Sequence, residues 1–140
     1  MAVILVVEDD EVNLALVTRF LTREGHVVHH AGNGVAGISA AKEHLPDLIV
    51  MDMGLPEMDG WEAVQCIRKS AETAHIPIVA LTAHALAEDV HRAIAVGCNA
   101  YQTKPVAYLR LMKTIAELVS KSNEDKLTAA LSHDTPVPVK

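Results

Sequence analysis

The chain is short of aromatics, cysteines, basic charge and long apolar runs, and each shortage excludes something. One Trp, two Tyr and one Phe among 140 residues, half of them hydrophobic, force a core of aliphatic and Ala side chains. Twelve Lys and Arg against eighteen Asp and Glu give a net charge of −6, and no run of basic residues stands out. Direct nucleic-acid binding normally needs a basic patch, so it is not expected here. The two cysteines, Cys66 and Cys98, sit in apolar patterns without metal-ligand spacing and read as reduced, packed thiols of a cytoplasmic protein. No apolar stretch approaches membrane-spanning length, and the N-terminus enters a strand pattern without a charged region or cleavage site. The length suits one domain with a full core.

What the chain does have is centred on Leu48–Gly60, LIVMDMGLPEMDG. Leu48, Ile49, Val50 and Met51 form a run too short for a buried helix and unbroken by polar alternation. That is the pattern of a parallel strand covered on both faces. It stops at Asp52, before a loop containing Gly54, Pro56 and Gly60. Open α/β sheets place their ligand sites at this point, after the carboxyl end of a strand. A lone Asp in such a loop is also an ordinary turn residue, so Asp52 needs company before it means chemistry.

Taken in order, Val3–Val7 is a second continuous apolar run, followed at once by Glu8, Asp9, Asp10 and Glu11. From Glu11 to Glu24 the apolar residues Val12, Leu14, Ala15, Leu16, Val17, Phe20 and Leu21 recur with helical spacing, with acids at the start and Gly25 at the end. His26–His30 reads as a short strand, Gly34 to His44 as a helix closed by Pro46, and Trp61–Ser70 as another helix. Ile76–Leu81 is a strand ending at Thr82, His84–Val96 a helix with Gly97 after it, and Asn99–Thr103 a strand ending at Lys104-Pro105. An amphipathic helix over Val106–Ser120 closes the domain, residues 1–120. Residues 121–140 read as a mobile tail with weak helical potential near Leu127–Leu131, and no output domain is expected.

Five strands alternating with five helices imply an α/β fold, a doubly wound parallel sheet with helices on both faces. Right-handed crossovers then bring every strand's carboxyl end to one edge. That edge collects Glu8, Asp9 and Asp10, then Asp52, Thr82 and Lys104. Clustered carboxylates raise one another's pKa unless a cation neutralises them, and an all-oxygen set suits Mg²⁺. A hydroxyl and an ammonium beside them match the needs of a transferred phosphoryl group. The chemistry implied is attack by the Asp52 carboxylate on a phosphoryl donor.

The motifs ILVVEDDEVN, DLIVMDMGLPEMDG, PIVALTA and AYQTKP, in this order and spacing, resemble the receiver domain of two-component response regulators. The resemblance spans residues 2 to about 120 and implies a flavodoxin-like fold with strand order 2-1-3-4-5. It makes Asp52 the phospho-acceptor, Asp9 a direct Mg²⁺ ligand, Glu8 a ligand through water, and the Gly54 backbone carbonyl a further ligand. Thr82 and Lys104 correspond to the phosphoryl-binding hydroxyl and ammonium, Tyr101 to the aromatic switch, and Lys104-Pro105 to a cis bond. Asp10 lies one place beyond the acidic pair and reads as a helix-start residue. Gly54 and His84 depart from common members and flank the path of the attacking water, so no phosphoryl lifetime follows from the resemblance.

The implied function is a Mg²⁺-dependent phospho-acceptor switch, standing alone and served by a histidine kinase or a histidine phosphotransfer protein. It catalyses its own phosphorylation and dephosphorylation but is a signalling protein more than an enzyme. Its output would be a protein contact, monomeric or through a phosphorylation-dependent dimer, at the 84–96 helix, the Tyr101 strand and the 106–120 helix. Glu88, His91, Arg92 and Arg110 are the exposed residues expected there. A flavodoxin would need a hydroxyl-rich loop where this chain has EDD, whose charge would repel a flavin phosphate. A metal-dependent phosphatase would need an acid where Gly54 stands. His26, His29 and His30 lack the spacing of a helical zinc pair. A receiver-like interaction module that is never phosphorylated is the remaining alternative, and it would be expected to have lost Asp9, Asp52, Thr82 or Lys104.

Overall fold

In the computed structural model, which describes residues 1–55, 58–83 and 87–134, strands and helices alternate throughout. The order is β1 (Val3–Val7), α1 (Glu11–Arg23), β2 (Val27–Ala31), α2 (Gly34–His44), β3 (Leu48–Asp52), α3 (Gly60–Lys69), β4 (Ile78–Thr82), α4 (Ala87–Val96), β5 (Ala100–Thr103) and α5 (Tyr108–Asp134). All strand pairs are parallel, in the order β2-β1-β3-β4-β5 that the resemblance implies.

The period-two alternation of strand side chains splits the core into two layers. Ile4, Val6, Val50 and Leu81 pack under Val17 and Leu21 of α1 and Leu111 and Ile115 of α5. Leu5, Val7, Ile49, Met51 and Ile78 face the other way, against Ala41 of α2, Val64 and Ile67 of α3 and Ala93 of α4. Every residue of β3 and β4 is buried, which is why neither strand shows polar alternation. The edge strand β2, paired only with β1, leaves Val27 and His30 exposed.

Side chains cap the helices as their sequences suggest. Asp10 Oδ1 accepts from Val12 N at 2.9 Å, Asn33 Oδ1 from Ala36 N at 2.8 Å, and Asp59 Oδ1 from Glu62 N at 3.0 Å. After α4 the chain turns through Gly97 at φ +110°, a region a side chain rarely adopts.

Some boundaries differ from the expected ones. β4 starts at Ile78 and not at Ile76, because Pro77 has no N–H for the ladder. β2 is displaced by one residue, ending at Ala31. The expected start of the fourth helix, His84, lies outside the described residues. The largest correction is at α5, which continues past the expected end at Ser120 to Asp134, so residues 121–134 are helical. No Gly or Pro interrupts Lys121–Asp134, and Lys, Glu, Leu and Ala favour helix there. What ends near Ser120 is burial: Leu127 and Leu131 are exposed.

Candidate functional site

The carboxyl edge of the sheet bears the residues expected there. Asp52 ends β3 and Thr82 ends β4, both buried; Glu8 follows β1, also buried, while Asp9 beside it is exposed. Lys104 follows β5, and its peptide bond to Pro105 is cis. Its Nζ lies 3.2 Å from Asp52 Oδ2 and 3.2 Å from Glu8 Oε1, so one ammonium bridges two buried carboxylates. Asp52 Oδ1 accepts from the Gly54 amide at 3.0 Å. Glu8 Oε2 accepts from the Asp10 amide at 3.3 Å.

These contacts divide the two buried acids electrostatically. Burial, the hydrogen bond with Asp52 and the charge of Asp52 push Glu8 up to about 7. Burial would also raise Asp52, but its hydrogen bonds with Glu8 and the Gly54 amide, and the Lys104 charge, outweigh it. Asp52 therefore stays below the ordinary aspartate value, as a carboxylate. Burial disfavours the Lys104 charge, yet Asp52 and Glu8 together raise its pKa, so the ammonium is retained.

The donor set fits a hard divalent cation. Carboxylate oxygens of Glu8, Asp9 and Asp52 all lie within 4.8 Å of one another. Glu8 Oε1 is buried and its partner is the Lys104 ammonium at 3.2 Å, so it keeps acceptor capacity towards a second cation. Oxygen-only ligands with open positions are the preference of Mg²⁺.

Tyr101, half-buried on β5, shares a hydrogen bond with Thr82; burial raises its pKa and this bond opposes the rise. Acids, hydroxyl and ammonium open on one cleft of about 460 Å³. Two of its walls were not read as site residues from the sequence: Trp61 from α3 and Asp89 from α4. Arg92 was expected on the outer face of its helix; it is exposed, and it also lines this cleft. The signal available was the position of both helices on the rim, each starting after a strand's carboxyl end. A larger cleft of about 850 Å³ on the outer face of α1 includes none of the clustered acids.

A family model for the response regulator receiver domain matches residues 4–116. The chain belongs to that family. Among relatives of this receiver domain is the polar-differentiation response regulator DivK of Brucella anthropi, 38% identical over 112 residues, covering 80% of this chain and 91% of DivK. The receiver domain of a sensor histidine kinase from Pseudomonas aeruginosa superposes with a TM-score of 0.79 at 32% identity, covering 85% of this chain and 98% of that one. Its structure has a magnesium ion coordinated in the active-site cleft. The chemotaxis protein CheY4 of Vibrio cholerae has a TM-score of 0.80 at 29% identity, covering 84% and 98%. This receiver domain is thus a component of two-component signalling. Among its described residues no helix is long and apolar enough to cross a membrane.

Proposed function

We propose that Asp52 is the phospho-acceptor of a Mg²⁺-dependent switch. The observation that carries this is the bridging of Asp52 and Glu8 by Lys104, with Asp9 completing an oxygen cluster beside them. Glu8, Asp9, Asp52 and the Gly54 carbonyl would hold Mg²⁺, which supplies positive charge against the phosphoryl oxygens when bound. An Asp52 carboxylate oxygen attacks the phosphorus of a phosphohistidine donor. An O–P bond forms as the N–P bond breaks, and the leaving imidazole nitrogen ends with a proton from solvent. Lys104 holds Asp52 ionised for this attack, and Lys104 and Thr82 bind the transferred group. Water later attacks the phosphorus, releasing inorganic phosphate and restoring the carboxylate.

The donor is a histidine kinase or a histidine phosphotransfer protein, and the output is a protein contact. The hydrogen bond between Thr82 and Tyr101 links the acceptor to the face formed by α4, β5 and α5. Glu88, His91 and Arg110 are exposed there for a partner or a second copy. Incubation with acetyl phosphate tests the assignment: intact mass should rise by one phosphate only with Mg²⁺, and Asp52→Asn should abolish the gain. Equal labelling of Asp52→Asn, or none in the wild type with Mg²⁺, would overturn it.

A further inference from the structure

Lys104 is a committed cation: two carboxylates share it. The cleft holds a second cation, and no carboxylate of the described residues is paired with it. The Arg92 guanidinium lies 4.3 Å from the centre of the Trp61 ring, bridging α4 to α3 across the mouth. Among the described residues, no carboxylate lies within ion-pair distance of Arg92. Arg92 is exposed and Trp61 half-exposed, so solvent competes for this stack.

The flat guanidinium that stacks on an indole is also the group that matches phosphate oxygens with two parallel donors. A phosphoryl group on Asp52 would bring close to two negative charges and three acceptor oxygens into the cleft Arg92 lines. Turning off the ring needs a side-chain rotamer change only, since Arg92 already stands on the cleft wall. A charge-assisted contact with a phosphoryl oxygen is stronger than a partly exposed stack, so the arriving group wins the arginine. The purely structural account is that Arg92 covers Trp61 and fastens α3 to α4. That account predicts a change in stability alone.

We propose that Arg92 is a second phosphoryl-binding residue of this cleft, stacked on Trp61 until the phosphoryl group is in place and drawn from the ring by it. The inference rests on the phospho-acceptor reading of Asp52. Its consequence is that occupancy of the site loosens the link between α3 and α4 at the mouth.

The test uses the full chain with Mg²⁺ and beryllofluoride as the phosphoryl mimic. Affinity is read from amide shifts and the stack from emission of Trp61, the one tryptophan of the chain. In the wild type, saturation should change the Trp61 emission. Arg92→Met should weaken beryllofluoride binding by about three- to tenfold, the exposed position limiting the effect, and should remove the emission change. Arg92→Lys should keep more of the affinity than Met. Unchanged affinity and an unchanged emission step in Arg92→Met, with binding still lost in Asp52→Asn, overturns the role of Arg92 alone. Failure of the wild type to bind, or binding that survives Asp52→Asn, overturns the phospho-acceptor reading together with it.

Discussion

Lys104 Nζ stands 3.2 Å from Asp52 Oδ2, and the ion pair is buried on the aspartate side, where Asp52 is 5% exposed. Removing the lysine leaves Asp52 and Glu8 facing each other with no cation between them. Lys104→Ala should therefore lower stability at neutral pH by about 1–3 kcal/mol, below the loss for a fully buried pair because a proton can enter between the acids. Mg²⁺ should recover much of this by binding the folded state alone. Lys104→Arg should restore stability better than phosphoryl transfer, since a planar fork does not reproduce a compact ammonium. Urea midpoints with and without Mg²⁺ measure the effect. A Lys104→Ala midpoint equal to the wild type in metal-free buffer would refute this account.

Two glycines near Asp52 should respond oppositely to substitution. A Cβ on Gly60, the first residue of α3, would come within 2.5 Å of Asp52 O and of Met53 Cα, both backbone atoms that cannot turn aside. Gly60→Ala should cost about 2 kcal/mol or more and displace the end of β3 that carries Asp52. Among the described residues, a Cβ on Gly54 would meet only Asp52 Oδ1, at 3.7 Å, an ordinary contact. Gly54→Ala should stay within about 0.5 kcal/mol of the wild type. Equal midpoints for the two variants would show that α3 can slide away from β3.

The contrast between these glycines marks what the sequence discloses. Continuous apolar runs at Val3–Val7 and Leu48–Met51 announce buried parallel strands, and right-handed crossovers then carry Glu8, Asp52, Thr82 and Lys104 to one edge without any coordinates. Motif spacing cannot disclose which side chains meet across elements. Trp61 and Arg92 lie 31 positions apart on different helices (92 − 61), and their stack is set by how α3 and α4 seat on the sheet. The end of α5 is hidden from the sequence for a different reason. Amphipathic spacing reports burial, and α5 remains helical beyond the point where its side chains are covered.

His26 supplies a pH dependence remote from the acidic cleft. Its Nδ1 accepts the Ala2 amide at 3.1 Å, which requires that nitrogen unprotonated. Burial, with the nearby N-terminal charge, lowers its pKa from 6.5, and Glu24 opposes the shift in part. The unfolded chain thus takes up a proton before the folded one. The contribution is fully present above pH 6.5 and is lost as pH falls from there towards the folded value. The His26 contribution should fall on acidification below about pH 6.5, against an opposite gain from Glu8, which is pushed up to about 7, so the stability advantage of the wild type over His26→Gln should shrink as pH falls. Superimposable pH profiles of the two proteins would exclude a contribution from His26.

At the opposite end of the sheet, Arg68 fastens α3 to the starts of β4 and β5 with all its guanidinium nitrogens. Nε and Nη2 donate to Gly97 O at 3.0 and 2.8 Å, and Nη1 to Ala74 O and Ile76 O at 2.9 and 2.7 Å. Nη2 also donates to Asn99 Oδ1 at 2.9 Å, and that oxygen accepts the Ile78 amide as well, so the arginine is tied to the sheet register. A lysine has a cation and three donors but no fork, and cannot reach these separated acceptors together. Arg68→Lys should destabilise by about 2–3 kcal/mol, because backbone carbonyls lose partners in a half-buried place. Arg68→Ala should cost at least as much. Labelling of Asp52 by acetyl phosphate at temperatures well below the unfolding midpoint should be unaffected, since Arg68 lies at the far edge of the sheet. An Arg68→Lys midpoint within error of the wild type would mean that solvent replaces these bonds without loss.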